Sequence, residues 1–111
     1  MTKDDSVFVG HMLDAARSVV AKVQGLDRPA FDQDENLRLA VTHLIQTIGE
    51  AAARVSDQHR DAHPQIPWRQ IVGMRHKIVH DYIHVNFDIV WNVATLQLPT
   101  LIAQIESIEP E

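Results

Sequence analysis

The stretch DENLRLAVTHLIQTIGEAAARVS, residues 34–56, carries the clearest apolar pattern in the chain. Its apolar residues recur in steps of four and three: Leu37, Val41, Leu44, Ile48, Ala51 and Val55. This period places them on one face of an α-helix. Such a face packs at a shallow crossing angle against similar helices, so we expect a helix over 34–56 inside a helical bundle.

The residues before this stretch predict one long helix and one short helix. In the segment 5–24, the same steps recur at Val9, Leu13, Ala16, Val20 and Val23. Gly25 is suited to end this helix, and Asp4, Asp5 and Ser6 are candidates to cap its start. The sequence Asp27-Arg28-Pro29 has the pattern of a capping residue followed by Pro in the first turn of a short helix.

After the central stretch, the polar segment 57–67 contains two prolines and cannot continue the helix. A shorter helix begins near Trp68 and ends at about residue 79 or 80. Helical steps select as its inward-facing positions Trp68, Ile71, Arg75, Ile78 and Tyr82.

The last helix is predicted over residues 87–108, with Asn86 as its cap. Pro99 lies inside it and lacks the N–H that would bind the Thr95 carbonyl, so we expect a kink there. No segment alternates like a β-strand. The predicted fold class is therefore all-α: an antiparallel four-helix bundle with a short extra helix and a kinked last helix.

Length and composition indicate one cytoplasmic domain over residues 1–111. A chain of this length has a modest core, so a partner chain would add to its stability. The sequence has no cysteine, no apolar run of about 20 residues and no signal-peptide pattern near its start. The net charge of −5 argues against a general nucleic-acid coat but still allows a local basic site, since Arg69, Arg75, His76 and Lys77 lie close together in the sequence.

Eight consecutive residues at the junction of two apolar helices carry most of the candidate chemistry: Arg75-His76-Lys77-Ile78-Val79-His80-Asp81-Tyr82. The spacing is Arg, four residues, His, one residue, Tyr. This spacing resembles the motif of HEPN-domain ribonucleases, and in particular of the HepT toxins of bacterial and archaeal toxin–antitoxin pairs. The segments 48–52, 66–74 and 87–91 are also similar to that family, so the resemblance spans most of the chain.

The resemblance implies a metal-independent endoribonuclease that works as a homodimer, needs no cofactor and cuts RNA such as tRNA or mRNA. It implies that Arg75 and His80 are catalytic and that His76 supports them. It further implies that the protein is the toxin of a type VII toxin–antitoxin system. A nucleotidyltransferase antitoxin similar to MntA would then silence the toxin by transferring AMP to Tyr82.

The residue types in the motif suit RNA cleavage. A guanidinium stays protonated and binds phosphate through its planar fork of donors. An imidazole with a pKa of about 6.5 can exchange protons near neutral pH. Cleavage removes one proton from the ribose 2′-hydroxyl and gives one to the 5′-oxygen, while a cation stabilises the phosphorane, so no metal is required.

The same residues also have structural interpretations. An inward-facing Arg75 would need an anion, and Glu50 is the candidate for a buried pair. His80 lies about 140° from Arg75 on an ideal helix, and a histidine near a helix end can simply complement the helix dipole. Tyr82 could be an aromatic packing residue.

Metal binding is the rival chemical interpretation. His76, His80 and His84 are spaced by four residues, as are His59 and His63, which suits two ligands from one helix face. No third ligand is defined by the spacing. His84 stands where relatives often carry Gly, and a histidine there would be strained if φ were positive.

The alternative function belongs to a different class. In it, the chain is a non-catalytic HEPN-like helical module that binds a nucleotide or a nucleotidyltransferase partner.

Overall fold

Every regular element in the part of the chain that the structure describes is helical. The computed structural model describes residues 2–78 and 84–108. The α-helices in chain order are α1 Lys3–Val23, α2 Arg28–Gln33, α3 Glu35–Arg54, α4 Asp57–Ala62, α5 Trp68–Ile78, α6 Phe87–Asn92 and α7 Leu98–Ile108. A π-helical turn, Val93–Gln97, joins α6 to α7. The predicted all-α class is confirmed, and no helix among these residues is long and apolar enough to cross a membrane.

Polar side chains define where most helices begin. The hydroxyl of Thr2 accepts a hydrogen bond from the amide of Asp5 at 3.0 Å, so α1 begins earlier than predicted. Residues 4–6 therefore lie inside its first turn instead of capping it. Asp27 and Asn86 cap α2 and α6 as predicted. Gly25 follows α1 with φ of 78°, a left-handed conformation that costs glycine little.

Helix α3 is the centre of the bundle. It packs along α1 and against α5, while α7 packs against α1. The predicted apolar face of α3 is buried or half-buried, and Ile45 joins it. Burying one large apolar side chain stabilises the fold by about 1.5–3 kcal/mol. The fully buried side chains of the main helices include Met12, Val19, Ile45, Ile48, Ile78, Leu98 and Ile105.

The polar segment after α3 contains a short helix, α4, that the apolar spacing did not predict. Ser56 caps α4 by accepting a hydrogen bond from the amide of His59 at 3.2 Å. The buried carboxylate of Asp5 accepts hydrogen bonds from the amide and the hydroxyl of Ser56, at 2.8 Å and 2.7 Å. These bonds lower the pKa of Asp5, the backbone bond most strongly. A contact between distant parts of the chain thus holds α4 against the start of α1.

The last helix is irregular directly before Pro99. The amide of Leu98 donates to the carbonyl of Val93, five residues earlier, which is the bonding pattern of a π-helix. Pro99 has no amide hydrogen to give to the Thr95 carbonyl. Where the sequence predicted a kink, the structure has a π-helical turn directly before Pro99.

Candidate functional site

Helix α5 carries the first half of the motif, and its inward face differs from the predicted one. The side chains that α5 buries are Trp68, Ile71, Met74 and Ile78. The prediction that Arg75 faces inward is wrong, because its side chain is 63% exposed. Residues 74 and 75 both fit the helical steps from Ile71, and Met74 is buried because its apolar side chain gains more from leaving water.

Glu50 on α3 is the acidic side chain beside Arg75. Arg75 Nη1 lies 4.0 Å from Glu50 Oε1, and both side chains are 63% exposed. Water screens an ion pair at this separation and exposure, so the pair is weak. A buried Arg75–Glu50 salt bridge is therefore ruled out, and the guanidinium is accessible to an anion from solvent.

Close contact with α3 positions α5. Gly49 on α3 is buried, and a Cβ at this position would lie 3.1 Å from the Ile71 carbonyl oxygen and 3.7 Å from that of Val72. The two backbones cross where a larger residue would displace one helix. Because Glu50 directly follows Gly49, this crossing also brings Glu50 to Arg75.

Trp68 anchors the start of α5. Its Nε1 donates a hydrogen bond to the His63 carbonyl at 3.0 Å. Its ring meets the ring of buried His59 on α4 edge-on, with 6.1 Å between centroids. Since α4 is held to α1 through Asp5 and Ser56, the start of α5 depends on contacts from separate parts of the chain.

The far end of α5 leads into the second half of the motif. The amide of Asn86 donates to the Ile78 carbonyl at 2.7 Å, so the chain returns to the end of α5 just before α6 begins. His80 and Tyr82 lie between these two points and outside the described residues. Their roles as catalytic residue and modification site remain predictions.

The outward face of α5 is basic, which the sequence had left open. Arg69, His76 and Lys77 are exposed. Within residues 2–78 and 84–108, none of the three forms an ion pair. The sequence of α5 contains no acidic residue. A local patch of positive charge therefore stands on a chain whose net charge is −5.

Gly73 is a position on α5 that the motif and the apolar spacing did not single out. It lies between Arg69 and His76, and a Cβ there would meet no atom within 4 Å. The sequence signal that could have drawn attention to this position is a glycine inside a predicted helix. Such a glycine lowers helix stability by about 1 kcal/mol relative to alanine.

The described residues do not assemble a metal site from the histidine pairs. The rings of His59 and His63 are in contact, with 4.6 Å between centroids, and His59 is buried. No group of three possible ligand residues forms in the described part of the chain. The spacing of His76, His80 and His84 includes a residue outside that part. His84 does not have a positive φ, so its departure from the family glycine causes no strain at that residue.

The sequence matches the family described as ribonuclease HepT-like over residues 12–108. A candidate RNase of Caldanaerobacter subterraneus subsp. tengcongensis is 31% identical over 101 residues, which cover 91% of this chain and 90% of that protein. A candidate RNase of Methanocaldococcus jannaschii is 24% identical over 106 residues, covering 96% and 97%. A protein named probable ribonuclease HepT from Thermococcus cleftensis is 31% identical over 75 residues, 68% of each chain. No solved structure matches.

The helical architecture and these similarities together define an all-α, HEPN-like ribonuclease domain. The chain belongs to the HepT-like ribonuclease family. The predicted family, fold class and enzyme class are thus confirmed.

Proposed function

We propose that this protein is the toxin of a type VII toxin–antitoxin system and acts as a metal-independent, homodimeric endoribonuclease on RNA such as tRNA or mRNA. The observation that carries this proposal is the exposed guanidinium of Arg75, whose acidic neighbour Glu50 is exposed and 4.0 Å away. An arginine with no buried acidic partner among the described residues can bind a substrate phosphate through two parallel N–H···O bonds.

In the proposed reaction, an imidazole takes the proton of a ribose 2′-hydroxyl, and the 2′-oxygen bonds to phosphorus. The bond from phosphorus to the 5′-oxygen breaks, and that oxygen takes a proton from an imidazolium. Arg75 stabilises the negative charge of the phosphorane. The products are a 2′,3′-cyclic phosphate and a 5′-hydroxyl end.

This reaction needs a general base and a general acid, which two imidazoles in opposite protonation states can supply. His80 is assigned to one role. The second of the two roles, general base or general acid, is assigned to His80 of a second copy in a two-fold dimer. His76 supports the site.

An apolar groove supports the proposed dimer. It has a volume of about 390 Å³ between α5 and the last helices, and its lining includes Ile71, Met74, Val93 and Leu101. Leu96, also part of the lining, is 65% exposed, and among residues 2–78 and 84–108 no acidic residue lines the groove. Chains of net charge −5 repel each other, so a mostly apolar groove whose lining carries the basic Lys77 is suited to contact between copies. Leu96→Glu should give monomers in sedimentation; dimers as stable as the wild type would exclude this face.

Regulation is proposed to act through Tyr82. Its phenolic oxygen attacks the α-phosphate of ATP held by the nucleotidyltransferase, and pyrophosphate leaves. The resulting phosphodiester carries a negative charge next to the motif, where it can occupy Arg75. A tethered group competes with free RNA at a high effective concentration.

Cleavage of RNA by purified protein tests the catalytic assignment. Arg75→Ala and His80→Ala should each lower the rate by about 10²–10⁴-fold, since each removes a group that acts in the transition state. Two exposed residues on other helices give matched controls, Arg17→Ala on α1 and His43→Ala on α3.

Activity should persist in EDTA, and mixed dimers with one His80→Ala subunit should be impaired. Wild-type rates in both motif variants would refute the assignment. A wild-type protein that does not cut RNA would favour the non-catalytic module.

A further inference from the structure

We propose that the outward face of α5 formed by Arg69, Gly73 and His76, here called the Gly73 face, seats the RNA strand beside the phosphate that is cut. This inference rests on the proposed ribonuclease function and adds a second contact to its substrate.

The three residues lie along one line of the helix. Positions seven residues apart on an α-helix differ by about 20° around its axis and about 10.5 Å along it, so Arg69 and His76 are aligned. Gly73 lies between them. Arg75 directly precedes His76, about 100° around the axis. A strand whose phosphate is bound at Arg75 can therefore continue across His76 towards Arg69.

Gly73, at the middle of this line, is half-buried and has no side chain to cover the backbone of α5. The glycine at position 49 has a packing reason, since a Cβ there would lie 3.1 Å from the Ile71 carbonyl oxygen. Gly73 has no such packing reason, because a Cβ at this position would meet nothing within 4 Å. A glycine inside a helix lowers stability relative to alanine. The open space beside its Cα allows a ribose–phosphate chain to approach the helix backbone closely.

The charges on α5 favour a polyanion as the occupant. Arg69, His76 and Lys77 are exposed and form no ion pair with any of residues 2–78 and 84–108. Asp57 and Asp61 on α4 border the same depression as Arg69, and Asp57 is paired with Arg60 at 2.8 Å. Their carboxylates repel phosphates, so the RNA strand should not extend beyond Arg69 towards α4.

The contact is to the RNA backbone and is independent of base sequence. A guanidinium binding a phosphate positions a strand without identifying its bases. Neutralising one phosphate of a single strand contributes about 0.7 to the slope of log affinity against log salt concentration. A residue that acts only on stability leaves this slope unchanged.

Fluorescence anisotropy with labelled single-stranded RNA, 2′-O-methylated so that it cannot be cut, tests the proposal. Arg69→Gln should weaken binding of two unrelated sequences equally, by about tenfold, since it removes one charge-assisted bond. The salt slope should fall by about 0.7. Lys22→Gln, an exposed basic position in the last turn of α1, is the matched control and should change neither quantity.

Gly73→Ala and Gly73→Leu test the bare backbone. Gly10 on α1 gives the matched control, because a Cβ there also meets nothing within 4 Å. Alanine at either position should raise Tm, since it is the better helix former. Of the two alanine variants, Gly73→Ala should weaken RNA binding and raise KM for cleavage, whereas Gly10→Ala should change neither. The larger side chain of Gly73→Leu should abolish measurable binding. A variant that is more stable yet binds less RNA cannot be explained by misfolding.

The outcomes separate this proposal from the proposed function. If the wild type cuts RNA and Arg75→Ala does not, while the Arg69 and Gly73 variants behave like their controls, the Gly73 face is not a substrate contact. If those variants bind RNA normally but sediment as monomers, the face contacts a second copy instead. If the wild type neither binds nor cuts RNA, the proposed function fails together with this one.

Discussion

Replacing Arg75 by alanine separates a catalytic arginine from a structural one. The guanidinium lies 4.0 Å from Glu50, both side chains are 63% exposed, and Met74 fills the inward position on α5. Exposed ion pairs contribute about 0–1 kcal/mol to the free energy of unfolding. Arg75→Ala should therefore lower that free energy by about 1 kcal/mol at most, which corresponds to a fall in Tm of no more than about 4–8 °C.

The effect on catalysis should be much larger. Removing one preorganised donor to the charge of a transition state lowers kcat by about 10²–10³-fold. RNA cleavage by Arg75→Ala should fall by this factor under conditions where circular dichroism shows the variant to be folded. Glu50→Ala should keep wild-type cleavage or exceed it, because it removes an anion that competes with the phosphate.

Urea unfolding of the wild type, both single variants and the double variant completes the test. The coupling energy between Arg75 and Glu50 should be below about 1 kcal/mol. Loss of about 3–5 kcal/mol in Arg75→Ala, the cost of breaking a buried pair, would refute the exposed geometry. Cleavage at the wild-type rate would refute the catalytic role.

Three further predictions concern other parts of the chain. Hydrogen bonds from Ser56 lower the pKa of Asp5 in the folded protein, so the ionised carboxylate stabilises the fold at pH values above its ordinary pKa of 3.8. This stabilisation is lost as the pH falls and the carboxylate is protonated. Between pH 7 and acid pH, the free energy of unfolding measured in urea should therefore fall more for the wild type than for Asp5→Asn. Gly49→Val should lower the free energy of unfolding by about 1–3 kcal/mol, because a side chain there meets the Ile71 carbonyl; unchanged stability would mean that α5 shifts freely. Tyr82→Phe should gain no AMP by intact mass and stay active beside the nucleotidyltransferase; silencing equal to wild type would show inhibition by binding alone.

Every helix except α4, and most of the helix boundaries, follow from local chemistry in the sequence. The period of Leu37, Val41 and Ile48 determines the central helix, and Asp27 and Asn86 act as caps because their side chains bind amides three residues or fewer away. Pro99 signals an irregular last helix because it lacks a donor. The motif around Arg75 resembles that of the family, and the match over residues 12–108 confirms the resemblance.

The inward face of α5 is decided only by tertiary structure. Steps of three and four from Ile71 reach Met74 and Arg75 equally well, so the sequence pattern leaves both faces open. Packing against α3 selects Met74, because burying an apolar side chain is favourable and burying an unpaired guanidinium is costly. The same packing leaves Arg75 accessible to an anion, which is the feature that the proposed function needs.

Contacts between distant residues are likewise beyond the sequence pattern. The hydrogen bonds from Ser56 to Asp5 link positions 51 residues apart, and the 3.1 Å approach at Gly49 depends on where α3 and α5 cross. No local sequence pattern predicts either contact, because each joins two segments that meet only after the bundle has formed. Local period and capping determine which residues are helical, whereas the free energy of packing those helices together decides which side chains remain outside to bind a substrate.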